Sequence, residues 1–275
     1  MPAQRIAFIG GGNMAHSLIG GLMADGYPAD CVHVAEPDAE KRRDLANRFG
    51  IIVQGDNQEA IRGAKAVVFA VKPQTIKSAL EPLGPLLRKQ QSLVISIAAG
   101  VRESDISRWL GGQVPVVRSM PNTPALVRAG ATALYANEHV SQRQRDLAES
   151  LLRAVGITQW LDDESLLDIV TALSGSGPAY FFLLMEILEK VAIELGLPQQ
   201  AARLLTLETA LGAARMALES DEDPACLRQR VTSAGGTTQA ATRVLENGDL
   251  HELFRRALQT ATDRARELGR LLGEQ

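Results

Sequence analysis

Residues 231–239 read Val-Thr-Ser-Ala-Gly-Gly-Thr-Thr-Gln, two glycines among hydroxyl side chains just before a helical pattern over residues 240–247. A turn that opens onto a helix start leaves backbone N–H groups unpaired beside the positive end of the helix dipole. Such a turn can hold a small anion, a carboxylate or a phosphate. The candidate groups are those of Ser233, Gly235, Gly236, Thr237 and Thr238. The same run also reads as an ordinary helix start softened by glycine, so the rest of the chain has to decide.

A second glycine cluster lies near the N-terminus, where Gly10-x-Gly12-x-x-Ala15 follows one apolar run and opens a helical one. In that setting the first glycine allows a tight turn, and the second lets a pyrophosphate approach the backbone. The alanine lets the helix pack closely on its sheet. The same residues would also make a glycine turn without a ligand. Glu36 ends the next apolar run, slightly beyond the usual distance for an acid that accepts hydrogen bonds from the ribose hydroxyls of NAD. A carboxylate there repels the 2′-phosphate of NADP. Lys41, Arg42 and Arg43 follow on the next helical segment, so the choice between NADH and NADPH stays open.

The elements that must position these residues follow from hydrophobic periodicity. Short apolar runs at residues 5–10, 32–36, 66–71, 93–98 and 114–118 alternate with helical stretches, which predicts a parallel sheet covered by helices on both faces. Beyond residue 164 such runs cease, and residues 178–196, 198–220 and 249–272 carry helical periodicity. The expected architecture is an α/β Rossmann-type dinucleotide-binding domain over residues 1–162, then an all-α domain over residues 163–275. Loops at residues 71–74, 98–100 and 120–124 follow strands, the edge where ligands lie in such sheets. In the last of these, Pro121 and Pro124 are expected to leave Asn122 and Thr123 facing the crevice. The run Ser174-Gly-Ser-Gly-Pro178 is either a tight helix connection or a place of close approach.

Composition narrows the function classes. A 45% hydrophobic and 22% charged chain of 275 residues is that of an ordinary soluble protein with room for two cores. The net charge of −3, with no Lys/Arg cluster that suggests a phosphate-tracking face, makes no case for nucleic acid. Cys31 and Cys226 form no metal or redox pair, and the four histidines show no metal-ligand spacing, so no metal site is expected. A strand begins within five residues of the N-terminus, and no apolar run is read as long enough to cross a bilayer. The expectation is a cytoplasmic protein with no membrane partner. The Ala/Leu-rich helical part carries more apolar surface than a short bundle buries alone, which predicts a homo-oligomer.

RIAFIGGGNMA, VKPQ, SIAAG, RSMPNTPALV, SGSGPAYFF and VTSAGGTT occur here in the order found in pyrroline-5-carboxylate reductases, and over nearly its whole length the chain resembles that family. The resemblance implies reduction of Δ1-pyrroline-5-carboxylate to L-proline by NADPH or NADH, the last step of proline biosynthesis. It also implies a homodimer or a ring of dimers. It assigns Ile9, Gly10, Gly11, Gly12, Asn13 and Met14 to the cofactor pyrophosphate, and Asn57 to the adenosine ribose or its 2′-phosphate. Ala70, Val71, Lys72 and Pro73, with Ala98, Ala99 and Gly100, line the cofactor toward the nicotinamide. Ser233 to Thr238 become the substrate loop, with Thr238 as the catalytic residue, its hydroxyl near the imine nitrogen. The chain departs from the family in Ala234, where proline is usual, and in Glu36, where many members carry serine or another small residue.

Two rival readings remain. One is a reductase of the β-hydroxyacid dehydrogenase or imine reductase type; the hydroxyacid enzymes depend on a lysine in a helix of the second domain, and Lys190 is the only lysine there. A nucleotide sensor would keep the glycine fingerprint without the chemistry of residues 233–238.

Overall fold

The computed structural model describes residues 3–274. It forms two compact units, residues 1–176 with 260–275 and residues 177–259. The expected division at residue 162 therefore differs from the compact units. Residues 163–176 and the end of the last helix join the first unit, because they pack on the sheet domain.

In the first unit the strands are β1 (Ile6–Ile9), β2 (Val32–Ala35), β3 (Ile52–Gln54), β4 (Ala66–Phe69), β5 (Leu93–Ser96), β6 (Val116–Met120), β7 (Gly130–Ala136) and β8 (Gly156–Trp160). They form one sheet in the order β3-β2-β1-β4-β5-β6-β7-β8. All neighbours run parallel except β6 and β7. The five expected strands are present. β3, β7 and β8 were not read from the sequence, and the antiparallel β6–β7 pair makes the sheet mixed rather than parallel throughout. β3 and β8 are partly exposed along their length, so they lack the dense apolar run that betrays a central strand.

The helices of this unit are α1 (Asn13–Ala24), α2 (Ala39–Phe49), α3 (Asn57–Ile61), α4 (Ile76–Leu80), α5 (Gly84–Gln90), α6 (Glu103–Leu110), α7 (Gln142–Arg153) and α8 (Leu166–Val170). Side chains alternate across each strand. Ile6 and Phe8 of β1 face one core, with Leu18 of α1, Leu45 of α2 and Leu151 of α7. Ala7 and Ile9 face the other, with Ile61 of α3, Ile76 of α4, Leu87 of α5 and Ile106 of α6. Both faces of the central strands are thus buried, which is why those strands read as continuous apolar runs. A π-helical turn, Thr171–Gly175, follows α8.

The second unit holds α9 (Gly177–Glu194), α10 (Gln199–Glu219), α11 (Pro224–Arg230), α12 (Thr237–Asn247) and the start of α13 (Leu250–Gly273). Phe181, Phe182, Leu184, Ile187 and Leu188 of α9 are exposed, as are Leu204, Leu207 and Leu211 of α10. The sequence reading found no apolar run long enough for a bilayer. The continuous helical run Leu166–Glu194, however, is 29 residues long and contains an 18-residue stretch with a mean hydropathy of 1.3, which meets that length and composition. Only 17% of that stretch is buried. An apolar helix face left open in one chain is equally what a subunit contact requires.

Candidate active site

The strand order reverses direction beside β1, which has β2 on one side and β4 on the other. The glycine turn, Glu36, the Ala70 loop and the Ala98 loop leave the carboxyl ends of β1, β2, β4 and β5, which are neighbours in the sheet. That is the switch-point crevice of a doubly wound fold.

Each glycine of the fingerprint has a separate physical task. Gly10 has φ +97°, and a Cβ there would stand 2.8 Å from the Ala70 carbonyl oxygen, so only glycine lets the two loops touch. Gly10 N–H donates to Ala35 O at 2.8 Å, and Ala70 N–H donates to Ile9 O at 2.8 Å, closing the turn onto both neighbouring strands. At Gly11 a Cβ would meet Leu45 Cδ1 at 2.7 Å. A Cβ at Gly12 would meet nothing within 4 Å, and Gly12 caps α1 without any side-chain bond. The open backbone and uncapped N–H groups of Asn13 and Met14 at this 12-residue helix fit a pyrophosphate.

Glu36 is buried, and its carboxylate faces the glycine turn. Oε2 accepts the Gly11 N–H at 2.8 Å and Oε1 accepts the Asp38 N–H at 3.0 Å. A carboxylate has about four acceptor positions, so these two bonds leave capacity for ribose hydroxyls. Arg42 is not a free cation, because its Nη1 donates to the Glu36 and Pro37 carbonyls at 2.8 and 2.7 Å. Lys41 lines a cleft of about 590 Å³ together with Gly11, Gly12, Asn13, His16 and Arg128. His16 is held between Gly12 O and Asp44 Oδ2, both at 3.2 Å, and braces α1 against α2.

Asn57 is the first residue of α3, which Asp56 caps by accepting the Glu59 N–H at 2.9 Å. Lys72 O accepts the Thr75 N–H at 2.9 Å, so residues 72–75 close into a 3₁₀ turn after Val71. In the third loop the Ala98 N–H donates to Ser96 Oγ at 3.3 Å, and Gly100 has φ +77°.

The loop after β6 differs from its expected arrangement. The Asn122 side chain does not face the crevice as a free polar group. Its Nδ2 donates to Ser174 O and Oγ, both at 3.2 Å, and its Oδ1 accepts the Ala131 N–H at 2.9 Å. Asn122 fastens its loop to the π-helical turn, where Gly175 is so close to Met120 that a Cβ would come within 2.5 Å of its Cε. The sequence showed the small residues but not their partner.

In the second unit, Gly236 precedes α12 with no side-chain cap. Gly236 N–H donates to Ser233 O at 3.1 Å, and Gly235 has φ +72°. This is a tight turn with Ala234 and Gly235 at its centre, of the kind that needs glycine at the third position and favours proline at the second. Gly235 N–H is taken by Gln239 Oε1 at 2.8 Å. Two N–H groups expected to face a substrate are therefore bonded within the loop. The donors left at the head of the helix are those of Thr237, Thr238 and Gln239, because the first helical bond runs from Ala240 N–H to Gly236 O. Gln239 escaped the sequence reading, although a glutamine three residues into a helix is a known back-capping signal. The Thr238 carbonyl accepts from Thr242 Oγ1 at 3.0 Å. Lys190, the lysine of the rival dehydrogenase reading, is an exposed partner of Glu186 at 2.6 Å, and that hydrogen bond raises its pKa.

These features define the class first: a Rossmann-type oxidoreductase whose crevice fits a nicotinamide dinucleotide. Residues 5–100 match the family described as NADP oxidoreductase, coenzyme F420-dependent, and residues 164–268 match the pyrroline-5-carboxylate reductase dimerisation family. The pyrroline-5-carboxylate reductase of Pseudomonas aeruginosa is 52% identical over 274 residues, covering 100% of both chains, and that of Arabidopsis thaliana is 38% identical over 98% of this chain and 97% of its own. The solved pyrroline-5-carboxylate reductase of Coxiella burnetii superposes with a TM-score of 0.94 at 48% identity, covering 97% of this chain and 98% of that one. The Plasmodium falciparum pyrroline carboxylate reductase, solved with NADP bound, gives a TM-score of 0.85 at 27% identity over 98% and 99% of the two chains. The chain belongs to the pyrroline-5-carboxylate reductase family.

Proposed function

We propose that this protein reduces Δ1-pyrroline-5-carboxylate to L-proline, the closing step of proline biosynthesis. The carrying observation is 52% identity over the full length to an enzyme of that name, together with the Gly235-Gly236-Thr237-Thr238 run of the substrate segment. When bound in the crevice, NADPH or NADH supplies the hydride.

The chain's own residues bind, orient and shield. Gly10, Gly11, Gly12, Asn13 and Met14, with the Ala70–Pro73 and Ala98–Gly100 loops, hold the cofactor, and Glu36 and Asn57 meet its adenosine half. The helix-head N–H groups of Thr237 and Thr238 hold the substrate carboxylate, while Ser233, Gly235 and Gly236 shape the turn. Thr238 Oγ1 hydrogen-bonds the ring nitrogen. Once protonated, the imine is strongly electrophilic, so positioning supplies much of the rate. Hydride adds to the imine carbon, the π pair moves to nitrogen, and L-proline results. A threonine hydroxyl is a poor acid at neutral pH, so the proton comes from water and Thr238 orients it.

Residues 163–275 act as the substrate and dimerisation part. The protein works as a cytoplasmic homodimer, the exposed apolar faces of α9 and α10 being covered by a second copy, and dimers assemble further into a ring. Pyrroline-dependent oxidation of NADPH and NADH, assayed in parallel, tests the reaction, and absence of both overturns it. Light scattering tests the assembly, and a monomeric mass would refute it.

A further inference from the structure

We infer that the C-terminal end of α13 positions the Ala98–Gly100 loop for the cofactor, with Gly269 as the positioning residue. The inference rests on the assignment of that loop to the cofactor site.

Within the first unit the backbone from Ser96 to Glu103 is held at three points. Ser96 Oγ accepts the Ala98 N–H at 3.3 Å, before the loop reaches its tip. Glu164 Oε1 accepts the Glu103 N–H at 2.6 Å beyond the tip, and the same oxygen accepts from the buried Arg118 Nη1 at 2.6 Å. Between these clamps, Gly100 meets α13 backbone to backbone. A Cβ at Gly269 would stand 2.9 Å from the Gly100 carbonyl oxygen, and one at Gly100 would stand 3.5 Å from Gly269 N.

The helix end is itself anchored. Leu272 is buried in the cluster that holds Val101, Ile106 and Leu110. Arg108 Nη2 donates to Gly273 O at 2.8 Å and to Asp105 Oδ1 at 2.7 Å. With the helix unable to retreat, a side chain at position 269 moves the loop instead. Ordinary contact begins near 3.4 Å, so the required shift is roughly half an ångström. A misplacement of about 1 Å can cost on the order of a hundredfold in rate, so half of that is expected to cost about tenfold in kcat/KM for NADPH.

The test is Gly269→Ala, read by NADPH binding through the fluorescence of the reduced nicotinamide and by steady-state kinetics. The expected result is a weaker Kd for NADPH and an approximately tenfold lower kcat/KM for it, with the KM for pyrroline-5-carboxylate unchanged. A purely structural role for Gly269 would lower Tm and leave the Kd of the folded protein unchanged, and that outcome overturns the inference. Should Gly269→Ala fail to fold, Leu272→Ala loosens the helix end without a clash and must weaken NADPH binding in the same sense. An unaltered Kd in that variant refutes the positioning role. A wild-type protein without pyrroline reductase activity would instead overturn the proposed reaction, while NADPH binding still reads the loop.

Discussion

Gly11 and Glu36, 25 residues apart, are joined by a 2.8 Å hydrogen bond from the glycine N–H to carboxylate Oε2. The acid at the end of β2 therefore shapes the glycine turn. A charge-assisted bond of this kind contributes about 1.5–3 kcal/mol, so under the proposed ribose contact Glu36 would couple cofactor choice to the shape of the turn.

Replacing Glu36 by serine removes a negative charge from the neighbourhood of a 2′-phosphate. The ratio of kcat/KM for NADPH to that for NADH is expected to rise by about tenfold, equivalent to about 1.4 kcal/mol. Parallel kinetics with both cofactors measure it. A wild-type enzyme that already prefers NADPH by more than about tenfold would show that Glu36 does not discriminate by charge.

If Thr238 acts as proposed, Thr238→Ala removes one hydrogen bond to a ring nitrogen that is cationic when protonated. Such a bond is worth about 1.5–3 kcal/mol, so kcat/KM for the pyrroline substrate should fall by about 10- to 100-fold. Thr238→Ser should retain most activity. Unchanged kinetics in the alanine variant would remove Thr238 from the reaction.

Ala234 occupies the second position of a turn whose third residue, Gly235, has φ +72°. Proline suits that second position and restricts the unfolded chain, so Ala234→Pro is expected to stabilise by about 0.4–1 kcal/mol with activity kept. A lowered Tm would show that position 234 does not adopt the proline conformation.

His33 lies buried on β2, and its Nε2 has no hydrogen-bond partner among the described residues. Burial foremost, with Arg5 nearby, pushes its pKa below the ordinary 6.5. Above that value both folded and unfolded states hold a neutral ring, and the full stability is present. As pH falls through 6.5 toward the depressed folded pKa, the unfolded state takes up the proton first and stability falls. Thermal melts from about pH 8 to 5 should show a smaller acid loss in His33→Gln than in the parent. Parallel pH profiles would exclude His33 as the cause.

Local pattern made a large share of this molecule legible. β1, β2, β4, β5 and β6 are buried on both faces, so their apolar runs stood out, and α9, α10 and α13 fell within a few residues of their expected bounds. β3 and β8 have exposed or half-buried side chains and left no comparable trace. Asn122 was legible as a polar residue between prolines. Its attachment to Ser174 was not, since nothing near Asn122 in the chain encodes a partner 52 residues away.

By itself the sequence determined the glycine spacing at residues 10–15, the hydroxyl and glycine run at residues 233–238, and the family to which they belong. Those signals are local, because a turn, a strand alternation and a helix period each need only a few neighbouring residues. Tertiary structure decided which groups stay available for ligands. Glu36 is partly spent on Gly11, 25 residues away, and Asn122 on Ser174, 52 residues away. It also decided that Gly100 touches Gly269, a contact set by how α13 packs and by nothing in either residue's own neighbourhood.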